Sequence, residues 1–74
     1  MKIAVQCHSG YKSDERPLRF RIGEKWILVE EVTDRWYDPC AAYFKVRGDD
    51  GDDYILRHDE RRDEWTLASY RRAL

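Results

Sequence analysis

Apolar and polar positions alternate along most of this chain with the period of two that marks a half-buried β-strand. Ile3, Val5 and Cys7 face one way and Ala4, Gln6 and His8 the other, which predicts a strand over Lys2–His8. Ser9–Pro17 reads as a polar loop, because Gly10 permits unusual dihedrals and Pro17 pushes Arg16 toward extended geometry. Alternation resumes over Leu18–Ile22, with Phe20 and Ile22 inward and Arg19 and Arg21 outward. Gly23–Lys25 turns the chain back into a long strand over Trp26–Trp36. Its apolar set runs Ile27, Val29, Val32, one position out of phase, and a bulge at Glu30–Glu31 would restore the facing. A helix over Glu24–Trp36 is the competing assignment, opposed by the β-branched residues Ile27, Val29, Val32 and Thr33 and by the lack of an N-cap.

Asp38-Pro39 ends that strand, and Cys40-Ala41-Ala42 reads as a connector. Three short strands follow: Tyr43–Arg47, Tyr54–His58 and Glu64–Tyr70, separated by an acidic glycine turn at Gly48–Asp53 and a charged turn at Asp59–Asp63. Phe44, Val46, Tyr54, Leu56, Trp65 and Leu67 face inward on them. A short charged helix over Asp59–Leu74 is the alternative for the last strand, which Trp65, Thr66 and Tyr70 disfavour; Arg71–Leu74 is expected to fray. The fold expected is all-β, a small antiparallel meander of five or six strands curled toward an open barrel. Phe20, Ile22, Ile27, Val29, Val32, Phe44, Val46, Leu56, Trp65 and Leu67 should share one core.

Seventy-four residues make a single domain near the lower size limit for unaided folding. Three Trp, five Tyr and two Phe supply the bulk for a compact core despite a charged fraction of 39%. No apolar run approaches membrane length and no leader precedes the first strand, so a cytoplasmic protein is expected. Cys7 and Cys40 are too few for a disulfide framework. The net charge of −1 conceals a segregation: residues 49–64 hold eight acids against three bases, and the rest of the chain carries +4. Solvated acidic turns that discourage edge-to-edge pairing account for this most simply.

Cys7-His8-Ser9-Gly10-Tyr11, Glu15-Arg16-Pro17, Phe20, Val29, Val32 and Arg35-Trp36 together form a pattern that resembles a family of small uncharacterised bacterial proteins. Tyr43-Phe44-Lys45-Val46, Tyr54-Ile55-Leu56 and Asp63-Glu64-Trp65-Thr66-Leu67 continue it over nearly the whole chain. The chain is also distantly similar to an actinobacterial domain of unknown function encoded near error-prone polymerase genes. The resemblance implies a bacterial cytoplasmic protein and carries over no catalytic or binding residue.

Candidate chemistry is sparse. Cys7, His8, Cys40 and His58 are zinc-competent, but their spacing fits no close ligand pair, and adjacent strand residues such as Cys7 and His8 point to opposite faces. Asp49-Asp50-Gly51-Asp52-Asp53 has the composition of a calcium loop without its register or distal glutamate, and Asp and Gly are what a tight hairpin demands. His8, Ser9 and Asp14 lack the nucleophile elbow or oxyanion hole of a hydrolase. No cofactor, metal site or catalytic residue is therefore expected.

Two surfaces remain. Arg19, Arg21, Lys45, Arg47 and Arg57 lie on outward strand positions with Tyr43 and Trp26 nearby, a basic face with aromatics that could track a phosphate backbone. The loop residues His8, Ser9, Tyr11, Glu15 and Arg16 form the second. The function expected is a small non-enzymatic binding or accessory module, a monomer or weak dimer, that recognises a protein partner through a sheet edge or the Ser9–Pro17 loop. A nucleic-acid-associated accessory using the basic face is the alternative, and a metal protein or enzyme comes third.

Overall fold

The computed structural model describes residues 1–7 and 16–72, and these form six antiparallel strands. They are β1 (Lys2–Cys7), β2 (Pro17–Ile22), β3 (Lys25–Tyr37), β4 (Ala41–Gly48), β5 (Asp53–Asp59) and β6 (Glu64–Arg71). Each strand pairs with its successor, and β6 returns to β1 through Lys2↔Thr66 and Ile3↔Trp65, closing the meander into a barrel. The curl expected from alternation thus goes to full closure. A backbone hydrogen bond from Leu67 N to Met1 O extends the seam.

The turns follow from their residues. Ile22 pairs with Lys25, leaving Gly23-Glu24 as a two-residue hairpin loop, and Gly23 adopts φ 62°. Positive φ at the first central residue alone is the type II′ pattern, whose twist matches the flanking strands. Gly48 has a different reason to be glycine. A Cβ there would lie 2.6 Å from Ile27 Cγ2 and 2.6 Å from Asp50 Oδ1, so the backbone of β4 passes directly against the core.

Phe20, Ile27, Ala42, Phe44, Val46, Tyr54, Leu56 and Trp65 form the buried cluster, drawn from five of the six strands. The rings of Phe20 and Tyr54 meet edge-on at 4.8 Å, an arrangement that sets the positive ring edge against a negative face. Ile3, Val5, Cys7, Ile22, Val29, Val32 and Leu67 pack around this cluster while staying partly exposed. Ile22, Val29, Val32 and Leu67 are therefore at the margin of the core and not at its centre.

Three expectations need correction. Ala41 and Ala42 are not a connector: they open β4, pair with Asp59 and His58 of β5, and are 4% and 2% exposed, Ala42 within the buried cluster. Pro17 belongs to β2 and not to the loop, and its ring is fully buried. The first position of a strand is one of the few places in a sheet where proline is tolerated. The last strand runs one residue past its predicted end at Tyr70, through Arg71, which pairs with Asp53; of the segment expected to fray, Ala73 and Leu74 lie outside the described residues. The bulge expected at Glu30 is present, with register shifting between Val29 and Glu31, and a second shift at Thr33 follows it. Together they bend the 13-residue β3 so that its first part pairs with β2 and its second with β4.

Candidate functional site

The length of β3 decides what the molecule exposes. Residues Lys25–Leu28 pair with β2, which has only six residues, while Val29–Tyr37 pair with β4. Past the first bulge, the edge of β3 opposite β4, from Val32 to Tyr37, has no strand partner among the described residues. An unpaired edge presents backbone N–H and C=O groups in the spacing of a strand. In a barrel closed elsewhere, this arm carries a ready template.

The side chains along the arm are distinctive. Trp36 points outward and stacks on Tyr43 of β4, ring centroids 5.4 Å apart and planes 4° apart, with 37% of its surface exposed. Tyr37 faces the other side and is 63% exposed. The Arg35 guanidinium lies 5.0 Å from the Phe44 ring and covers the end of the core. The turn beyond is fixed by Asp38, whose Oδ1 accepts the backbone N–H groups of Cys40 at 2.8 Å and Ala41 at 2.7 Å. Its Oδ2 accepts the Tyr43 hydroxyl at 2.8 Å. The Tyr43 hydrogen bond and these amides hold the Asp38 carboxyl below its ordinary pKa. Arg57 Nε donates to the Tyr43 oxygen at 3.3 Å, completing a chain from Arg57 through Tyr43 to Asp38.

The basic residues of the expected face divide between two strand pairs. Arg19 and Arg21 lie on β2 beside Trp26, their guanidinium carbons 4.5 Å and 5.7 Å from its ring centroid, and Arg19 Nε donates to Gln6 Oε1 at 2.6 Å. Tyr43, Lys45 and Arg47 lie on β4, with Arg57 opposite Tyr43 on β5. Acids interleave with this second group. Lys45 stands across from Asp34, Arg47 across from Glu31, and Arg47 Nε is 3.9 Å from Asp53 Oδ1. Cross-strand pairs of opposite charge stabilise a sheet and neutralise the field a polyanion would follow.

Of the loop candidates, His8, Ser9, Tyr11 and Glu15 lie outside the described residues, and Arg16 is exposed just before β2. Among the zinc-competent residues, Cys7 is half-buried against the core, Cys40 is exposed in the β3–β4 turn, and His58 stacks on Trp65 while meeting Asp63 Oδ1 at 2.8 Å. No cluster of three or more metal-ligating side chains occurs among the described residues.

The unpaired edge of β3 was missed in the sequence, although a signal for it was there. A strand predicted over Leu18–Ile22 cannot span one predicted over Trp26–Trp36, so part of the longer strand had to lie beyond it. No family model, curated protein or solved structure matches this chain.

Proposed function

We propose that this domain is a small non-enzymatic binding module that takes an extended segment of a partner protein along the Val32–Tyr37 edge of β3. The observation that carries this reading is the edge itself, which has no strand partner among the described residues and bears Arg35, Trp36 and Tyr37. Main-chain hydrogen bonds to such an edge supply affinity, and side chains to either side supply selectivity. Arginine, tryptophan and tyrosine are also the residue types that dominate interface energetics.

Charge selects the occupant. Over residues 30–38 four carboxylates, Glu30, Glu31, Asp34 and Asp38, stand against Arg35, two of them, Glu31 and Asp34, lying across from Arg47 and Lys45 of β4. A second copy of β3 laid antiparallel would set carboxylates against carboxylates, which disfavours self-pairing. A strand bearing lysine or arginine at alternate positions is complementary. The test uses an alternating lysine–valine hexapeptide, its glutamate–valine counterpart and an N-methylated lysine–valine form. Binding of the first alone, with new hydrogen-exchange protection at amides of Val32–Tyr37, supports the reading. Equal binding of the N-methylated peptide, or protection elsewhere, refutes it.

A second reading, association with single-stranded nucleic acid, is favoured by Trp26 with Arg19 and Arg21 beside it. Salt-sensitive perturbation by an oligonucleotide at these three residues and at Tyr43, Lys45, Arg47 and Arg57 would support it. Perturbation absent at near-physiological salt would remove it.

A further inference from the structure

The seam that closes the barrel leaves the last part of β6 bare. β1 pairs with β6 through Lys2↔Thr66 and Ile3↔Trp65, and the ladder ends where the Leu67 N–H donates to Met1 O at 2.9 Å. Past that bond, Ser69, Tyr70 and Arg71 pair with Ile55, Tyr54 and Asp53 of β5, and Ala68 is the extra residue where the register shifts. On the side of β1, Ala68–Arg71 have no strand partner among the described residues, and all four are exposed. Four residues of strand present roughly 13 Å of backbone N–H and C=O groups to another chain.

A cavity of about 300 Å³ opens beside this edge. Leu67 and Tyr70 of β6 line it on one side and Ile22 and Lys25 of the β2–β3 hairpin on the other, with Ile27 and Tyr54 buried at its floor. β1 is the strand that joins β6 to β2, so the cavity lies where the line of β1 would run on between them. The polar groups there are turned to one another. The Tyr54 hydroxyl donates to Asp50 Oδ2, the Tyr70 hydroxyl to Asp52 Oδ2 at 2.7 Å, and the Asp52 N–H to Asp50 Oδ1 at 3.0 Å. Charges around the opening are mixed. Lys25 shares the lining with Asp50 and Asp52, while Asp53 has Arg47 Nε at 3.9 Å and Arg71 across the ladder. The opening thus offers apolar surface next to bare backbone and selects neither sign of ion.

We propose that an extended, uncharged segment of a partner protein adds to β6 along Ala68–Arg71, antiparallel to it and in line with β1, and seats one bulky apolar side chain between Ile22 and Leu67. Edge and cavity point to this occupant by separate routes. A bare strand edge is completed by a chain that supplies backbone donors and acceptors at strand spacing, which a small molecule does not. Side chains of an added strand alternate, so every second one turns inward, as Ile3 of β1 does against the core, and meets the cavity. Its volume admits an aromatic ring or a branched alkyl group. A polar side chain would find the hydroxyls and carboxylates already bonded to one another and would lose its own water. The Val32–Tyr37 edge of β3 takes no part, so this site and the β3 reading stand separately.

The test titrates the ¹⁵N-labelled protein with an acetylated and amidated pentapeptide that alternates threonine with phenylalanine. Its threonine–alanine counterpart and a fully N-methylated form of the phenylalanine peptide serve as comparisons. Saturable shifts at Ile22, Ile27 and Leu67 are expected with the phenylalanine peptide, together with new hydrogen-exchange protection within Ala68–Arg71. The alanine peptide should bind at least roughly tenfold more weakly, having no side chain to fill the cavity. The N-methylated peptide should not saturate, having lost its backbone donors. The proposal is overturned by the absence of saturation, by equal binding of either comparison peptide, or by protection at Val32–Tyr37 in place of Ala68–Arg71. Protection at Ala68–Arg71 that rises with protein concentration alone would assign the edge to a second copy of the chain and overturns it too.

Discussion

The Asp38 carboxylate and the Tyr43 hydroxyl meet at 2.8 Å across the β3–β4 turn, and through that contact one acid sets the geometry of the exposed arm. Asp38 ties its own turn through two backbone amides while holding the phenol on which Trp36 stacks. An aspartate two residues before an amide it accepts is an Asx-turn, a local substitute for a backbone turn. Here the same side chain also orients the aromatic pair beside the proposed peptide edge.

Asp38 should therefore make stability depend on pH in the acid range. Its folded pKa lies below the unfolded value, so its contribution is present above the ordinary carboxylate range and is lost as pH falls through the folded value. Asp38→Asn retains an acceptor oxygen but removes the charge. The native protein should melt higher than this variant at neutral pH, and the gap should shrink below about pH 4. A gap that stays constant from neutral to acid pH would show that the charge contributes nothing.

Gly48→Ala should be destabilising by about 1–3 kcal/mol, the usual cost of forcing atoms into a packed core. The added methyl meets Ile27 Cγ2 and Asp50 Oδ1 at 2.6 Å, and Tyr54 Cε1 at 3.1 Å. The Asp50 carboxylate can swing away, but the Ile27 methyl is held in the buried cluster. Urea unfolding measures the loss. The chemical shift of Tyr54 should move with it, because the same atom presses on that ring.

Alternation made the strands legible, because one buried face and one wet face leave a period of two in any sequence. Phe20, Phe44, Val46 and Leu56 could be placed that way, and so could the bulge at Glu30, where the phase slips by one. Ala41 and Ala42 were hidden for the opposite reason. A small residue is buried by the crowding around it, and a single sequence does not record its neighbours. Barrel closure was equally silent, since Ile3↔Trp65 joins the two ends of the chain and no local pattern links them. The cavity beside the β4–β5 turn depends on a similar convergence. Asp50 and Asp52 read as turn residues, and only the fold brings Tyr54, Tyr70 and the Ile22–Ile27 hairpin against them.

Tyr54 should resist ionisation. Burial of the ring, and a hydroxyl donated to the Asp50 carboxylate, push its pKa well above the ordinary phenol value. A folded value raised above the unfolded one gives stability that is present below about pH 10 and is lost as pH rises through the folded value. Subtracting the phenolate absorbance of Tyr54→Phe from that of the native protein should show no Tyr54 titration at about pH 11 while the protein stays folded. The variant should also lose stability less steeply in alkali. A normal titration for Tyr54 would mean its hydroxyl is free of Asp50.

Trp65 is the side chain on which closure of the barrel rests. It pairs with Ile3 across the seam, packs on Phe44 with ring centroids 5.5 Å apart, and stacks beneath His58 at 4.3 Å. Among the described residues the Lys2↔Thr66 and Ile3↔Trp65 pairs join β1 to β6, extended by the hydrogen bond from Leu67 N to Met1 O and by an exposed ion pair of 3.2 Å between Lys2 and Glu64. Exposed ion pairs contribute little, so the seam depends on what Trp65 buries. Trp65→Ala should cost roughly 3–5 kcal/mol, a large part of the stability of so small a domain. The seam should open before the rest. Hydrogen exchange at the β1 amides should accelerate ahead of that at β4 and β5, which keep their partners on both sides. Trp36→Ala, at an exposed ring on the arm, should move stability by no more than about 1 kcal/mol. Comparable losses in the two variants, or uniform acceleration of exchange in Trp65→Ala, would show that closure does not depend on this side chain.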